Sequence, residues 1–312
     1  MSRMDPRKAF EETFFEMGGE NKNIVAVSCD SASGGGMKSF FQAYPERTVE
    51  TGISEQNAIG ICAALAKQGL IPFIVVITPF ITMRAYEQVR DDVGYMNMNV
   101  KLVGSGGGLA YSTLGSTHQA VEDIALMQTI PNMTILSPCD AYDIKAALKM
   151  AAEVKGPVYI RMPRQAREVK AEKRSLCLGK AEVLKDGKDV AIFATGPMVE
   201  EAQKAAEMLQ REGIDAAVLG FMTVKPLDEE AVKAYAKDVK MIFTVEEHSV
   251  VGGFGCAVAA CLAPLPNTPP VHIIGVREKA KNTGPYEELL DHYGLTGEKI
   301  AEKIKKTSKG LR

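Results

Sequence analysis

No stretch of this 312-residue sequence is long and apolar enough to span a membrane. The longest apolar run, LIPFIVVI at 70–77, has the length of a strand and contains a proline. The N-terminal MSRMDPRKAF lacks the apolar core of a signal peptide, so no secretory leader is expected. An excess of one charge is also missing, with 37 Lys and Arg against 39 Asp and Glu, a formal net charge of −2. The one basic run, the terminal KIKKTSKGLR, reads as a solvated helix end, so a nucleic-acid surface is not expected. The six cysteines (Cys29, Cys62, Cys139, Cys177, Cys256, Cys261) are scattered and form no CxxC pair. They read as reduced, mostly buried small residues of a cytoplasmic protein. The four histidines (His118, His248, His272, His292) form no HExxH or similar cluster, which argues against a catalytic zinc held by this chain.

What is present is an alternation of strand and helix signals. Asp5-Pro6 is an N-cap and N1 pair ahead of RKAFEETFFEMG, whose helical pattern runs to a glycine stop. NIVAVSCD, IPFIVVI, NVKLVG, MTILSP and PVYIRMP read as strands. Between them lie EQNAIGICAALAKQ, which Ser54 can cap, TMRAYEQVRDDVGY, QAVEDIALMQTI, and DAYDIKAALKMAAEV behind Asp140. Continuous apolar strands separated by helix-length segments imply a parallel sheet covered on both faces. A polar, charged stretch follows, and DVAIFATG opens a second α/β series without detectable repeat of the first. The expectation is two consecutive open α/β domains, 1–165 and 188–312, joined by a linker at 166–187 with a leading strand.

Ligands of open α/β sheets bind at the carboxyl ends of strands. Asp30, Gly52 to Glu55, the segment 78–83, Gly104 to Gly108 and Pro138 all fall there. GSGGG at 104–108 lacks dinucleotide-fingerprint spacing, and SGGGMKS at 33–39 lacks the glycine before Lys38 that a P-loop needs. Both read as tight loops where backbone approaches something closely. VGGFG at 251–255 could receive an anion at a helix start, but helix–strand packing is the stronger reading. His118 precedes a helix just after a glycine-rich strand end, which makes it a candidate site residue. Arg161 ends an apolar strand, an awkward place for a charge unless it meets an anion or a carboxylate. His248 lies near the VGGFG turn and receives no catalytic role.

VETGISEQNAIG, RAYEQVRDDV, GSTHQAVEDIALMQTIPNMTILSP and VEEHSVVGGFG together resemble the C-terminal half of transketolase, and more closely the separate C-terminal subunit of split transketolases. The pattern also recurs in deoxyxylulose phosphate synthase and in the beta subunit of 2-oxoacid dehydrogenases. The resemblance covers essentially the whole chain. It implies a thiamine diphosphate enzyme with a pyrimidine-binding domain followed by a transketolase C-terminal-like domain. Glu55 matches the glutamate that shares a proton with the cofactor aminopyrimidine and so favours the tautomer that takes up the C2 proton. Phe80 matches the aromatic that stacks on the pyrimidine, with Ile77 and Met83 completing the wall. Arg7 and Arg161 match arginines that hold the sugar phosphate, and His118 matches a histidine that contacts the sugar.

Three positions depart from the family pattern. Gly106 stands where ordinary transketolases carry a second histidine. Leu114 stands where they carry an aspartate that reads a donor hydroxyl. Gly34 stands where they carry a phosphate-binding serine, with Ser33 beside it as a substitute. These departures point away from generic pentose phosphates toward a sugar such as a branched-chain or sulfonated one. The chain also has no GDG…N motif, through which the family holds the cofactor diphosphate and its Mg²⁺. The resemblance therefore implies a partner, an N-terminal subunit carrying that motif, in an α2β2 heterotetramer. The alternatives are a deoxyxylulose phosphate synthase-like or 2-oxoacid dehydrogenase beta-like subunit and, in another class, a non-catalytic regulatory or assembly subunit.

Overall fold

The computed structural model describes residues 3–170, 174–277 and 282–308. Six strands of the first sheet run parallel: β1 (Ile24–Ser28), β2 (Thr48–Glu50), β3 (Ile71–Ile77), β4 (Lys101–Ser105), β5 (Thr134–Leu136) and β6 (Val158–Met162). Their spatial order is β5-β6-β4-β3-β1-β2. The second sheet holds β7 (Glu182–Lys185), β8 (Val190–Ala194), β9 (Ala216–Gly220), β11 (Met241–Ser249) and β12 (Val271–Val276) in the order β12-β11-β8-β9-β7. It is parallel except for β7 at its edge.

The apolar strands of the first sheet lack alternation because both faces are covered. Val25, Val27, Ile74 and Val76 point into one core, while Ile24, Ala26, Phe73 and Val75 point into another. The second of these cores is packed by α1 (Pro6–Glu20), whose Phe10 stacks on Phe14 and Phe14 in turn on Phe40 of α2 (Lys38–Ala43). The first core continues without a break to Phe193, Leu219 and Phe254 of the second sheet region.

Several elements differ from the sequence expectation. The strand β10 (Thr223–Lys225) lies within the expected second domain but pairs antiparallel with β5, extending the first sheet. The two halves thus share a sheet as well as a core. The helix α1 runs past its expected glycine stop because Gly18 is a packing contact. A Cβ there would lie 2.4 Å from the Phe40 ring. The helix α2 follows the glycine loop and has no counterpart in the sequence expectation. Helix α3 (Glu55–Lys67) begins as expected, but Ser54 Oγ donates to the Thr51 carbonyl rather than capping the helix. Residues 80–95 are helical with wide, π-type turns at both ends instead of one regular α-helix. The helix expected over 119–130 contracts to Asp123–Gln128, because residues 119–121 are bonded to other segments. The expected linker is tied down rather than solvated. Arg167 pairs with Glu200, Glu201 and Glu287, and Arg174 with Asp140, Asp143 and Glu182. Residues 171–173 of that linker lie outside the described residues.

Candidate active site

Helix α3 starts one short turn after β2, and this places Glu55 at the carboxyl edge of the first sheet. The residue is 4% exposed. Arg84 Nη1 donates to both carboxylate oxygens at 3.1 Å. The same guanidinium lies 4.1 Å from the centroid of the Phe80 ring. Arg84 joins Glu55 and Phe80 in the candidate site, and sequence reasoning missed it. It lies four positions after Phe80, about one helical turn, and that spacing is the available signal.

The cluster continues along the sheet edge. His118 meets the half-buried Phe80 edge-on, with centroids 5.3 Å apart, and Tyr111 lies 5.8 Å from His118. His118 Nδ1 is 2.8 Å from Thr117 Oγ1. The Arg164 guanidinium covers the Tyr111 ring at 4.3 Å and donates to its hydroxyl at 2.9 Å. Glu55, Arg84, Phe80, His118, Tyr111 and Arg164 therefore form one continuous series, carried by the segments that follow β2, β3, β4 and β6. Ile77 and Met83 are half-buried beside Phe80, and Leu114 is 53% exposed on the His118 loop.

Two glycines of the 104–108 stretch are required by close approach. At Gly106 (φ +75°) a Cβ would fall 2.5 Å from the Tyr111 ring. At Gly108 (φ +67°) it would fall 2.6 Å from the Glu247 carboxyl. The space beside Gly106 is filled by Tyr111. Gly34 is different, since a Cβ there meets nothing closer than the Ser31 carbonyl at 3.8 Å. Ser33 and Arg7 are exposed, and Arg7 sits against the glycine loop at Gly36.

Arg161 requires a correction. It is 3% exposed, its Nε donates to Asp123 at 2.7 Å, and its Nη2 donates to the carbonyls of Ala120 and Glu247. Tyr159 donates to the same Asp123 oxygen at 2.6 Å. Burial opposes the charge of Arg161, but Asp123 more than offsets it and holds the guanidinium protonated. A cation spent in this way is not available to a sugar phosphate. The exposed arginine of the same strand end is Arg164, three residues on.

The VGGFG helix start is occupied by the chain itself. Glu246 accepts from the amides of Phe254 and Gly255 at 2.6 and 2.8 Å, so packing rather than an external anion accounts for the motif. Burial pushes the Glu246 carboxyl up to about 7 against these bonds. His248 is fully buried, and burial lowers its pKa. Its Nε2 accepts from the Ala125 amide and its Nδ1 faces the Ser249 carbonyl, which fixes a neutral tautomer in a structural role.

The Glu55 pocket suits an aminopyrimidine. Arg84 is a flat group with N–H donors that already stacks on Phe80 and bonds to Glu55. A flat aminopyrimidine ring would take the same stacking place on Phe80, with its nitrogens facing the Glu55 carboxyl group.

Residues 2–169 match the model of the transketolase pyrimidine-binding domain, and residues 179–300 match that of the transketolase C-terminal domain. The chain is 40% identical over 298 residues to one of the subunits of apulose-4-phosphate transketolase from Phocaeicola vulgatus, covering 95% of each protein. It is 40% identical over 296 residues to the 6-deoxy-6-sulfo-D-fructose transketolase subunit SqwH of a Clostridium species, covering 94% of this chain and 91% of that one. 1-Deoxy-D-xylulose-5-phosphate synthases match more weakly; that of Heliobacterium modesticaldum is 36% identical, with the chain covering 46% of its length. Among solved structures, a split-gene transketolase described as an inactive beta4 tetramer superposes with a TM-score of 0.88 at 38% identity, covering 98% of both chains. The chain belongs to the transketolase family, with that family's pyrimidine-binding and C-terminal domains on one polypeptide.

Proposed function

We propose that the chain is the pyrimidine-binding subunit of a two-component, thiamine diphosphate-dependent transketolase that moves a two-carbon ketol unit between (phospho)sugars. The observation that carries this reading is the buried Glu55 carboxylate beside the Phe80 face at the edge of the first sheet. Thiamine diphosphate bound there would supply the carbon nucleophile for ketol transfer. Glu55 holds a proton against the pyrimidine nitrogen. Phe80 offers its face for stacking, with Ile77 and Met83 as flanking wall, once Arg84 turns aside. His118, edge-on to Phe80, would bond sugar oxygens. Arg164 beside Tyr111, and Arg7 and Ser33 at the 33–36 glycine loop, offer the cationic and hydroxyl groups that suit a phosphate or sulfonate. Diphosphate and Mg²⁺ are assigned to an N-terminal partner subunit carrying GDG…N, in an α2β2 assembly.

Leu114 presents an apolar surface to the sugar, and Tyr111 fills the place of a histidine. Relatives named for apulose 4-phosphate and for 6-deoxy-6-sulfo-D-fructose support a substrate outside the ordinary pentose phosphates. The test is reconstitution with the partner subunit, thiamine diphosphate and Mg²⁺, followed by a panel of ketose donors that includes branched and sulfonated sugars. Ketol transfer with a preference inside that panel is expected. Full turnover of xylulose 5-phosphate with ribose 5-phosphate would remove the unusual sugar from the reading. Carbon dioxide release from pyruvate would replace the reading with synthase-like or oxoacid chemistry.

A further inference from the structure

The loop that carries His118 is fastened from the second domain. Glu247 lies in β11 and is 1% exposed. Its Oε1 accepts from the Leu109 amide at 2.6 Å, at the start of the loop. Its Oε2 accepts from the Tyr286 hydroxyl at 2.8 Å. Its carbonyl accepts from Arg161 Nη2, and the same nitrogen reaches the Ala120 carbonyl at the end of the loop. Gly108 and Ala120 exchange two backbone hydrogen bonds of 2.8 Å and close the loop at its base. Higher up, the Gln119 amide bridges the carbonyls of Ser112 and Asn282, and the Gly284 amide donates to Ser112. Tyr111, Leu114 and His118 all hang between these points. No comparable bond from the second domain reaches Glu55 or Phe80 among the described residues.

We propose that Glu247 is a positioning residue, through which the second domain sets the place of His118 over the site. The inference rests on the ketol-transfer reading for its kinetic consequence, but its structural half stands apart from it. A carboxylate suits the task because it accepts from two donors at once, one on the loop and one on the Tyr286 side chain. An alanine at 247 leaves the Leu109 amide buried without a partner, and that cost is relieved by letting the loop move.

The experiment uses the complex of the full chain with its partner subunit, as wild type and with Glu247→Ala, Glu247→Gln and Tyr286→Phe. Glu247→Ala is expected to lower kcat/KM for the sugars by about tenfold, the loss that follows from one unsatisfied buried donor. Cofactor affinity is expected to stay unchanged. Gln can accept from Leu109 and donate to Tyr286, so Glu247→Gln is expected to keep most of the activity. In a His118→Ala background the loss caused by Glu247→Ala is expected to shrink, because the two residues act as a unit. Amide hydrogen exchange across 109–120 is expected to rise in Glu247→Ala whether or not the complex turns over sugar. Unchanged exchange in that segment, or an equal loss in both backgrounds, overturns the proposal. Absence of ketol transfer by the wild type would overturn the functional reading, and the exchange comparison would still decide the placement of the loop. If Glu247→Ala does not fold, Tyr286→Phe removes a single hydroxyl from the same network. A smaller rise in exchange there supports the proposal, and no rise counts against it.

Discussion

Replacing Glu55 by glutamine separates chemistry from folding at the one residue on which the functional reading depends most. The exchange keeps the shape of the side chain and removes its charge. The structural cost is bounded by the partner, since Arg84 is 44% exposed on its side-chain surface and a pair open to water on one side contributes within about 1 kcal/mol. Glutamine still accepts one of the two bonds from Arg84, and the rest of the cluster is untouched. The catalytic cost is of another size. Losing a positioned proton donor lowers turnover by about 10²–10⁴-fold, equivalent to roughly 3–5.5 kcal/mol of barrier. The expected result is therefore a complex that assembles and melts within a few degrees of wild type yet has lost at least two orders of magnitude in kcat. The assay pairs steady-state ketol transfer with the rate of deuterium exchange at C2 of the bound cofactor, which should slow in parallel. A Glu55→Gln complex with wild-type turnover would refute the argument and favour a non-catalytic subunit.

Other substitutions test neighbouring claims. Arg161→Ala should destabilise the chain by about 3–5 kcal/mol, read as a large fall in melting temperature, because it strands the buried Asp123 carboxylate. Arg164→Ala, by contrast, should leave the melting temperature alone and raise the KM for anionic sugars, since Arg164 is exposed and bonded to a single hydroxyl. Leu114→Asp should shift donor preference toward ordinary pentose ketoses in a competition assay, at no cost in stability, because the side chain is more exposed than buried. Lys101 is fully buried against the carbonyls of Val154 and Gly156, and burial pushes its pKa down to about 7. Between pH 7 and about 10.5 the unfolded chain then binds a proton that the folded chain does not, so stability rises with pH by up to about 1.4 kcal/mol per unit. Lys101→Met should remove that slope, which thermal unfolding of both proteins across this pH range measures.

The first sheet is legible in the sequence because its strands are buried on both faces and read as unbroken apolar runs. Glu55 and Phe80 are legible for a different reason, as members of an ordered set of motifs at strand ends. What escapes are features decided by long-range packing. The strand β10 is three residues long, and only its neighbour β5, some 90 positions earlier in the chain, makes it a strand. Gly18 reads as a helix stop by composition, yet it lets Phe40 approach the helix backbone. Arg161 and Arg164 present the same guanidinium on one strand end, and nothing local says which is spent. Asp123, 38 positions upstream of Arg161, settles that only in three dimensions. Arg84 is hidden by a conflict of scales, since a charged residue on a helix usually faces water, and this one folds back onto a ring and a buried carboxylate.

The placement of these residues divides the site into two parts with different supports. Glu55 starts a helix packed on the first sheet, and Phe80 starts the helical segment that follows β3 directly. The core beneath them sets the backbone position of both. The three positions that the sequence reads as departures from the family pattern, Gly34, Gly106 and Leu114, fall instead on loops that leave the ends of β1 and β4. Gly106 and Leu114 lie on or beside the loop that Glu247 and Arg161 fasten at its base. On the proposed function, substitutions at the tip of such a loop would alter what faces the sugar while the fastening holds the backbone in place. An exchange between Leu and Asp at the exposed position 114 costs little folding energy, so on that reading it would act almost entirely on substrate choice. On the proposed function, the end of the site that would take the cofactor rests on the core, while the end that would take the sugar rests on a few buried hydrogen bonds from the second domain.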